Sequence, residues 1–166
     1  ALPISMRVEI IAVGRMKPGP EKDLFDNFAK RFDGQGKSLS LGPLVLTEVE
    51  EKKNLGRAEL AAREGEKILQ ALPKGAKLIV LDERGRSLKS KEFSQKLSLW
   101  RDEGAPACAF VIGGAGGLSD DVRNRADFKL SFGSQTWPHM MARVMLSEQL
   151  YRAATIIAGH PYHRDE

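Results

Sequence analysis

An apolar run that ends in a glycine-rich segment constrains the fold of this chain more than any other feature. The run covers residues 107–112, and the sequence Gly-Gly-Ala-Gly-Gly follows at 113–117. Such a run is typical of a buried strand, and Ser119 with two acidic residues behind it is typical of a helix start. Glycine lets the backbone bend sharply and lets a ligand approach main-chain N–H groups. The segment therefore predicts a strand, a tight turn and a helix, in which the turn is either a plain connection or a ligand loop.

The residues around this turn do not match the common nucleotide or nucleophile motifs. A G-x-G-x-x-G motif would need glycine where Ser119 stands, and a Walker A loop would need Gly-Lys-Ser/Thr after the turn. Ser119 also lacks the Gly-x-Ser-x-Gly setting of a hydrolase nucleophile. Cys108, the single cysteine, lies inside the apolar run, so we expect a buried structural thiol.

Strand and helix patterns alternate along the rest of the chain. Apolar runs predict further strands at residues 7–13, 39–49, 77–81 and 128–132, and helical spacing predicts helices at 21–32, 57–72, 90–100 and 138–158. This alternation predicts an α/β fold, with a mostly parallel sheet and helices on both faces. Ligands of such sheets bind beyond the carboxyl ends of strands, so the segments after Leu81, Ile112 and Phe132 are candidate binding loops. The charged segment 82–86 is expected to turn away from the sheet.

Length and composition fit one globular domain. The 166 residues carry a net charge of +4, which is compatible with nucleic-acid binding but does not require it. No apolar segment approaches the length of a membrane span, and the first residues do not resemble a signal peptide, so we expect a cytoplasmic protein without a membrane partner. The sequence has no Cys/His ligand quartet, so we expect no zinc site. The last helix is apolar around most of its circumference, which predicts that one side faces a second subunit.

The three histidines lie in the last quarter of the chain, and two of them belong to a tail with Tyr162 and Arg164. One exposed tail histidine is most often a solvated ring. The cluster favours a function, because arginine donates to phosphate, tyrosine stacks on bases and a histidine can assist a proton transfer.

Several segments, taken in order, resemble the RlmH family of ribosomal large subunit methyltransferases, which are small SPOUT-class enzymes. The segments are Ile112–Leu118, Leu130–Phe132, Thr136–His139, Arg143, Glu148–Ala153 and His160–Arg164. The resemblance covers residues 6–164, and residues 1–5 are an extension or a cloning remnant before a single domain at 6–166. It implies methylation of N3 of a pseudouridine in 23S ribosomal RNA, on the ribosome, with S-adenosylmethionine as methyl donor. It also implies a homodimer, no metal and a C-terminal trefoil knot, which general topology rules would not predict.

Carried over residue by residue, the resemblance implies two sets of site residues. The S-adenosylmethionine pocket maps to Leu81, Gly113, Gly114, Phe132, Gly133, Ser134, Gln135, Thr136 and Trp137. The catalytic tail maps to Tyr162, His163 and Arg164, which bind RNA, stabilise the developing anion and reach the cofactor pocket of the other subunit. The base is either His163 or water. Two other functions stay open: a non-catalytic ribosome-binding or assembly protein, and a flavodoxin-like nucleotide binder.

Overall fold

The structure, a computed structural model, describes residues 5–164 as one five-stranded sheet with helices on both faces. The strands are β1 (Met6–Val13), β2 (Leu41–Val49), β3 (Lys77–Ser87), β4 (Ala107–Ile112) and β5 (Phe128–Ser131). The helices are α1 (Pro20–Gly36), α2 (Arg57–Ala71), α3 (Ser90–Asp102), α4 (Asp120–Arg125) and α5 (His139–Ala158), with a 3-10 turn at Lys37–Leu39. The strand order is β2-β1-β4-β3-β5, and every neighbouring pair is parallel. The predicted α/β fold is confirmed, and the knot stays a prediction.

Strand β4 forms the centre of the sheet, and all six of its side chains are buried. Alternate residues face two separate hydrophobic clusters, as the period of a strand requires. Phe110 belongs to the cluster with helices α1, α3 and α5, whereas Val111 belongs to the cluster with α2 and α4. Cys108 is buried as expected, and burial raises the pKa of its thiol well above the ordinary value. This thiol is therefore structural.

The expectation that residues 82–86 turn away from the sheet is wrong. Strand β3 runs on to Ser87, and Leu81 and Arg86 both pair with Leu130 of β5, so four residues bulge out and the strand then returns. A Cβ at Gly85 would lie 2.5 Å from the carbonyl oxygen of Lys129, so the return requires glycine. Charged residues beside a glycine are typical of a turn, but here pairing with β5 returns the chain to the sheet.

The boundaries of the other elements agree with the sequence to within a few residues. The predicted cap is confirmed at Ser119, whose hydroxyl accepts the N–H of Val122 at 3.3 Å. A serine at the start of a helix often caps it, but Ser90 does not, because Lys89 precedes helix α3 and the Ser90 hydroxyl donates to Oε1 of Gln149 at 2.8 Å. Strand β2 begins at Leu41, two residues later than predicted, and continues through Gly42-Pro43.

Helix α5 packs against the sheet, α1 and α3 and leaves a half-exposed apolar stripe. Leu146 and Leu150 are fully buried. Met145 and Ile156 are half-buried, and Met141 exposes 40% of its surface. The helix ends at Gly159, whose φ of 72° is the left-handed conformation that glycine adopts without strain. None of the helices within residues 5–164 combines the length and hydropathy needed to cross a bilayer.

Candidate active site

Three segments at the carboxyl edge of the sheet enclose a cleft of about 600 Å³. They are the end of β3 after Leu81, the glycine turn after β4 and the loop between β5 and α5. The predicted cofactor residues that line the cleft are Leu81, Gly113, Gly114, Phe132, Gly133, Gln135, Thr136 and Trp137. Ser134 is exposed in the same loop but does not line the cleft. The structure thus brings together three loops that are far apart in sequence.

The glycine turn is closed by its own backbone and leaves little room for a side chain at Gly113 or Gly114. The N–H of Gly117 donates to the carbonyl of Gly114 at 2.9 Å, and Gly117 has a φ of 80°. A Cβ at Gly113 would lie 3.0 Å from Leu118, and one at Gly114 would lie 2.8 Å from Val13. Larger residues would displace the wall of the cleft, so a ligand here lies against main chain.

The loop between β5 and α5 is held by hydrogen bonds within itself. The Ser131 hydroxyl accepts the N–H of Gly133 at 3.0 Å and lies 3.2 Å from the carbonyl oxygen of Glu83 in the β3 bulge. The indole Nε1–H of Trp137 donates to the carbonyl of Phe132 at 3.2 Å. Ser131 is buried and fixes the start of the loop, a role that its lone hydroxyl does not signal in the sequence.

The cleft also carries a small charged cluster. Asp82 lies 3.3 Å from Arg84 and 3.4 Å from Arg123. Burial alone would raise the pKa of Asp82, but hydrogen bonds from Arg84 and the charges of both arginines outweigh it and lower the pKa. Asp82 is therefore ionised at neutral pH. Arg57, at the start of α2, lines the same cleft.

The predicted catalytic tail lies at the other end of α5 from the cleft. The ring of Tyr162 lies 4.7 Å from that of Tyr151 and 4.9 Å from the guanidinium of Arg152. Nη1 of Arg152 is 3.1 Å from Nδ1 of His163. His139 lines the cleft, and Arg152 lies about 20 Å further along the helix axis. The structure does not bring Tyr162, His163 or Arg164 into the cleft of their own chain.

The environment of Tyr162 restricts what its phenol can do. Burial raises its pKa, and the carboxylate of Glu148 raises it further. Glu148 also holds Arg152 through a hydrogen bond of 2.9 Å. The phenol stays protonated at neutral pH and can donate a hydrogen bond, so it is a poor general base.

A second cavity, of about 640 Å³, lies beside the cleft and shares Leu130, Phe132 and Gly133 with it. Its polar wall comes from Ser90 and from Glu148, Gln149 and Arg152 of α5. Tyr162 and His163 contact Arg152, but no tail residue lines this cavity.

Two buried charged residues near the cleft were not singled out as site residues from the sequence. Arg143 of α5 is fully buried and donates to Glu48 at 2.7 Å and to the carbonyls of Val13 and Gly14 at 2.9 and 2.7 Å. Glu64 of α2 lies beneath the glycine turn, where a Cβ on Gly114 would meet its carboxylate oxygens at 3.2 Å. The one sequence signal that could have indicated Arg143 is an arginine between apolar neighbours in a core helix.

Within residues 5–164, no group of three or more His, Cys, Asp or Glu side chains is arranged to hold a metal ion. The cleft is instead lined by apolar side chains, main-chain groups and several charged side chains, and its volume lies in the range of pockets for small molecules.

A parallel sheet with helices on both faces and a cleft at its carboxyl edge defines an open α/β protein, a class whose ligands bind at that edge. A family model described as "Predicted SPOUT methyltransferase" matches residues 6–163. The chain belongs to this family of SPOUT methyltransferases, which confirms the resemblance read from the sequence.

The relatives of the chain are similar over nearly their whole length. It is 54% identical to "Ribosomal RNA large subunit methyltransferase H" of Ruegeria pomeroyi, over 96% of this chain and 99% of that protein. It is 52% identical to the protein of the same name from Bradyrhizobium diazoefficiens, with the same coverage. A solved structure, a probable methylase family protein from Haemophilus influenzae Rd KW20, aligns with 99% of this chain and 72% of its own at a TM-score of 0.49 and 14% identity.

Proposed function

We propose that this chain is an S-adenosylmethionine-dependent methyltransferase that methylates N3 of a pseudouridine in 23S ribosomal RNA. The observation that carries the proposal is the match to ribosomal RNA large subunit methyltransferases over 96% of the chain at more than 50% identity. The cleft supports it independently, since it lies where three strand-end loops meet. A flavodoxin-like binder has no support from these relatives.

The residues of the cleft fit S-adenosylmethionine. Leu81 and Phe132 offer apolar surface for adenine, and the main chain of residues 132–137 offers hydrogen bonds to its edge. Gly113 and Gly114 have no side chain between the backbone and a bent ligand. When bound, the cofactor supplies an electrophilic methyl group on a sulfonium.

The remaining task of the chain is to place N3 of the base in line with that methyl group and to accommodate loss of the N3 proton. Methyl transfer to N3 would require N3, the methyl carbon and sulfur in line, so the residues that orient the base would supply much of the rate. We assign binding of the RNA and stabilisation of the anion to Tyr162 and Arg164. The proton passes to His163 or to water.

We infer that this tail acts on the cleft of a second copy. In its own chain it packs on Tyr151 and Arg152, far from His139. The half-exposed apolar stripe of α5, which includes Met141 and Met145, supports a homodimer built on that helix. Each site then combines the cleft of one subunit with the tail of the other.

We further infer one methyltransferase domain over residues 6–166, acting on ribosomes in the cytoplasm. The family match over residues 6–163 supports the domain assignment. The expected extension at 1–5 lies, apart from Ser5, outside the described residues, as do Asp165 and Glu166.

The proposal is tested by transfer of a labelled methyl group to ribosomes from a strain that lacks this modification. The expected product is N3-methylpseudouridine in 23S RNA. Gly114→Ala should abolish transfer, because its Cβ would lie 2.8 Å from Val13, whereas Gly34→Ala, with open space around it, should not. A non-catalytic ribosome-binding protein would bind ribosomes, would not bind S-adenosylmethionine in calorimetry and would transfer no label. That result would refute the proposal.

A further inference from the structure

Trp137 presents a large aromatic surface at the mouth of the cleft. It exposes 39% of its surface although burial of a tryptophan is normally favourable. Its only polar atom, Nε1, already donates to the carbonyl of Phe132. This hydrogen bond holds the ring in place. A partner would therefore contact an apolar face that loses little conformational entropy on binding.

Positive charge is concentrated at the same edge of the sheet. The segments that follow the strands, with the part of β3 after Leu81 and the first residue of each helix, contain the basic residues Arg15, Lys17, Lys52, Lys53, Arg57, Arg84, Arg86 and Lys89, against the acidic residues Glu50, Glu51, Asp82, Glu83 and Asp120. The segments that precede the strands, with the last residue of each helix, are balanced, with Lys37, Lys74 and Arg125 against Asp102, Glu103 and Asp127. A polyanion is thus attracted to the edge that holds the cleft.

Two of these cations share the cleft with Trp137. Arg57 and Arg84 both line it and both are exposed, and the side chain of Arg84 is 63% exposed. Arg84 is paired with Asp82, which fixes its guanidinium near the mouth without burying it. An anchored aromatic ring with exposed arginines is the combination that binds unpaired nucleotides.

We propose that the Trp137 indole stacks on a base beside the target nucleotide of the ribosomal RNA, and that Arg57 and Arg84 contact the flanking phosphates. This inference rests on the proposed function. A base that enters the cleft must leave its own stack, so its neighbour loses a stacking partner. The indole replaces that partner, while the main chain of the same loop serves the cofactor.

The surroundings of Trp137 favour RNA over a second copy of this chain as the partner of the ring. The cores of protein interfaces are depleted in charged residues. Trp137 instead shares its cleft with three arginines, Asp82 and Glu83, and lies in a run of exposed polar loop residues at 134–136. The apolar stripe that suits a second copy lies on α5, at Met145 and Ile156.

The test compares Trp137→Ala and Trp137→Phe, with Leu99→Ala as the matched control for an exposed apolar residue on α3. Binding to ribosomal particles without cofactor should weaken about 5- to 100-fold in Trp137→Ala, as expected for loss of one stacked base. Trp137→Phe should recover most of the affinity, and Leu99→Ala should match wild type. Calorimetry should show the same change in the Kd for S-adenosylmethionine in Trp137→Ala and Trp137→Phe to within about twofold, since both lose the hydrogen bond to Phe132 and only main-chain atoms of residue 137 face the cofactor in this proposal. Leu99→Ala should match wild type here as well.

Arg57→Ala and Arg84→Ala test the phosphate contacts separately. Each should weaken particle binding several-fold and reduce the slope of log affinity against log salt by about 0.7–0.9. Arg63→Ala, at an exposed position further along α2, is the matched control and should change neither.

Three results would overturn the inference. They are unchanged particle binding in Trp137→Ala, a loss of cofactor affinity in Trp137→Ala that clearly exceeds the loss in Trp137→Phe, and dissociation of a dimer by Trp137→Ala in sedimentation. Particle binding is measured without methyl transfer, so it tests Trp137 even if the wild-type protein transfers no label. The absence of transfer would refute the proposed function alone.

Discussion

Glu64 shows how a single buried group can make the stability of this fold depend on pH. Its side chain is 95% buried beneath the glycine turn, given a relative exposure of 5%, and Oε1 has no hydrogen-bond partner. Burial raises the pKa of this carboxyl, the charge of Glu51 raises it further, and Lys67 opposes both. The folded state therefore holds the proton more tightly than the unfolded chain, in which the pKa is near 4.5. Stability is full below that value and falls as the pH rises through the raised pKa.

We expect Glu64→Gln to stabilise the protein more at about pH 8 than at about pH 5, since the amide removes the cost of a buried charge only where that charge forms. A gain of about 1 kcal/mol at the higher pH corresponds to about 2–4 °C in Tm. Thermal unfolding at both pH values measures it. Glu66→Gln, at an exposed position on the same helix, should show no such difference. An equal gain at both pH values would contradict the argument.

Arg164 is the tail residue whose loss separates RNA chemistry from cofactor binding. It is exposed and does not line the cleft of its own chain. We expect Arg164→Ala to lower methyl transfer by at least about tenfold, as loss of a charge that stabilises a developing anion does, while the Kd for S-adenosylmethionine changes little. Single-turnover transfer and calorimetry give the two numbers. If the variant loses cofactor affinity and keeps its turnover, the assignment of the tail is wrong.

At the scale of elements, Arg143 joins α5 to the carboxyl ends of two strands. Its guanidinium donates to the carbonyls of Val13 and Gly14 after β1 and to Glu48 in β2. Glu48 in turn accepts the N–H of Met16 at 2.6 Å and so holds the next loop. The side chain of Arg143 is completely buried, while that of Glu48 is 30% exposed. Water can therefore replace the contacts of Glu48 but not those of Arg143.

We expect Arg143→Ala to lower the free energy of unfolding by about 3–5 kcal/mol, because a cavity and several unpaired groups remain. Glu48→Gln, which keeps an acceptor for Met16 at a partly exposed position, should cost about 1 kcal/mol. Urea unfolding with an unchanged m-value compares the two. A cost for Glu48→Gln as large as that for Arg143→Ala would show that the ion pair, rather than the carbonyl contacts, dominates.

The elements themselves could be predicted because they depend on local patterns. The apolar run into the glycine turn, the capping hydroxyl of Ser119 and the stop at Gly159 are all visible within a few residues. The return of β3 after Leu81 could not be predicted in this way, since it depends on pairing with a strand 49 residues later. The contacts of Arg143 join residues 95 to 130 positions apart, a distance over which periodicity carries no information.

Which residues meet in the cleft could be predicted in part. The rule that loops after parallel strands meet at one edge brought Leu81, Gly113 and Phe132 together correctly. The same rule is silent about Arg57, which begins a helix, and about the tail, which follows the last helix. The roles assigned to the cofactor residues and to the tail stay predictions.

At the scale of the whole molecule, the proposed shared sites predict a specific result for mixed dimers. A chain with Gly114→Ala has a damaged cleft and an intact tail, and a chain with Arg164→Ala has the reverse. Co-expressed in equal amounts, they should form mixed dimers in which one cleft meets one intact tail. We expect about a quarter of wild-type transfer from the mixture, as random pairing of two subunits gives, and almost none from either variant alone. If each chain used its own tail, the mixture would be as inactive as its parts.

The last helix, α5, also fixes the distance between the cleft and the tail. It begins at the cleft with His139, and its far end carries the segment that packs against Tyr151 and Arg152. Adding or removing one residue within it would rotate everything beyond that point by about 100° and shift it by about 1.5 Å. A change in the length of a surface loop leaves this spacing intact, whereas we expect an insertion within the helix to separate the glycine turn from residues 162–164 and to lower activity more than most substitutions there.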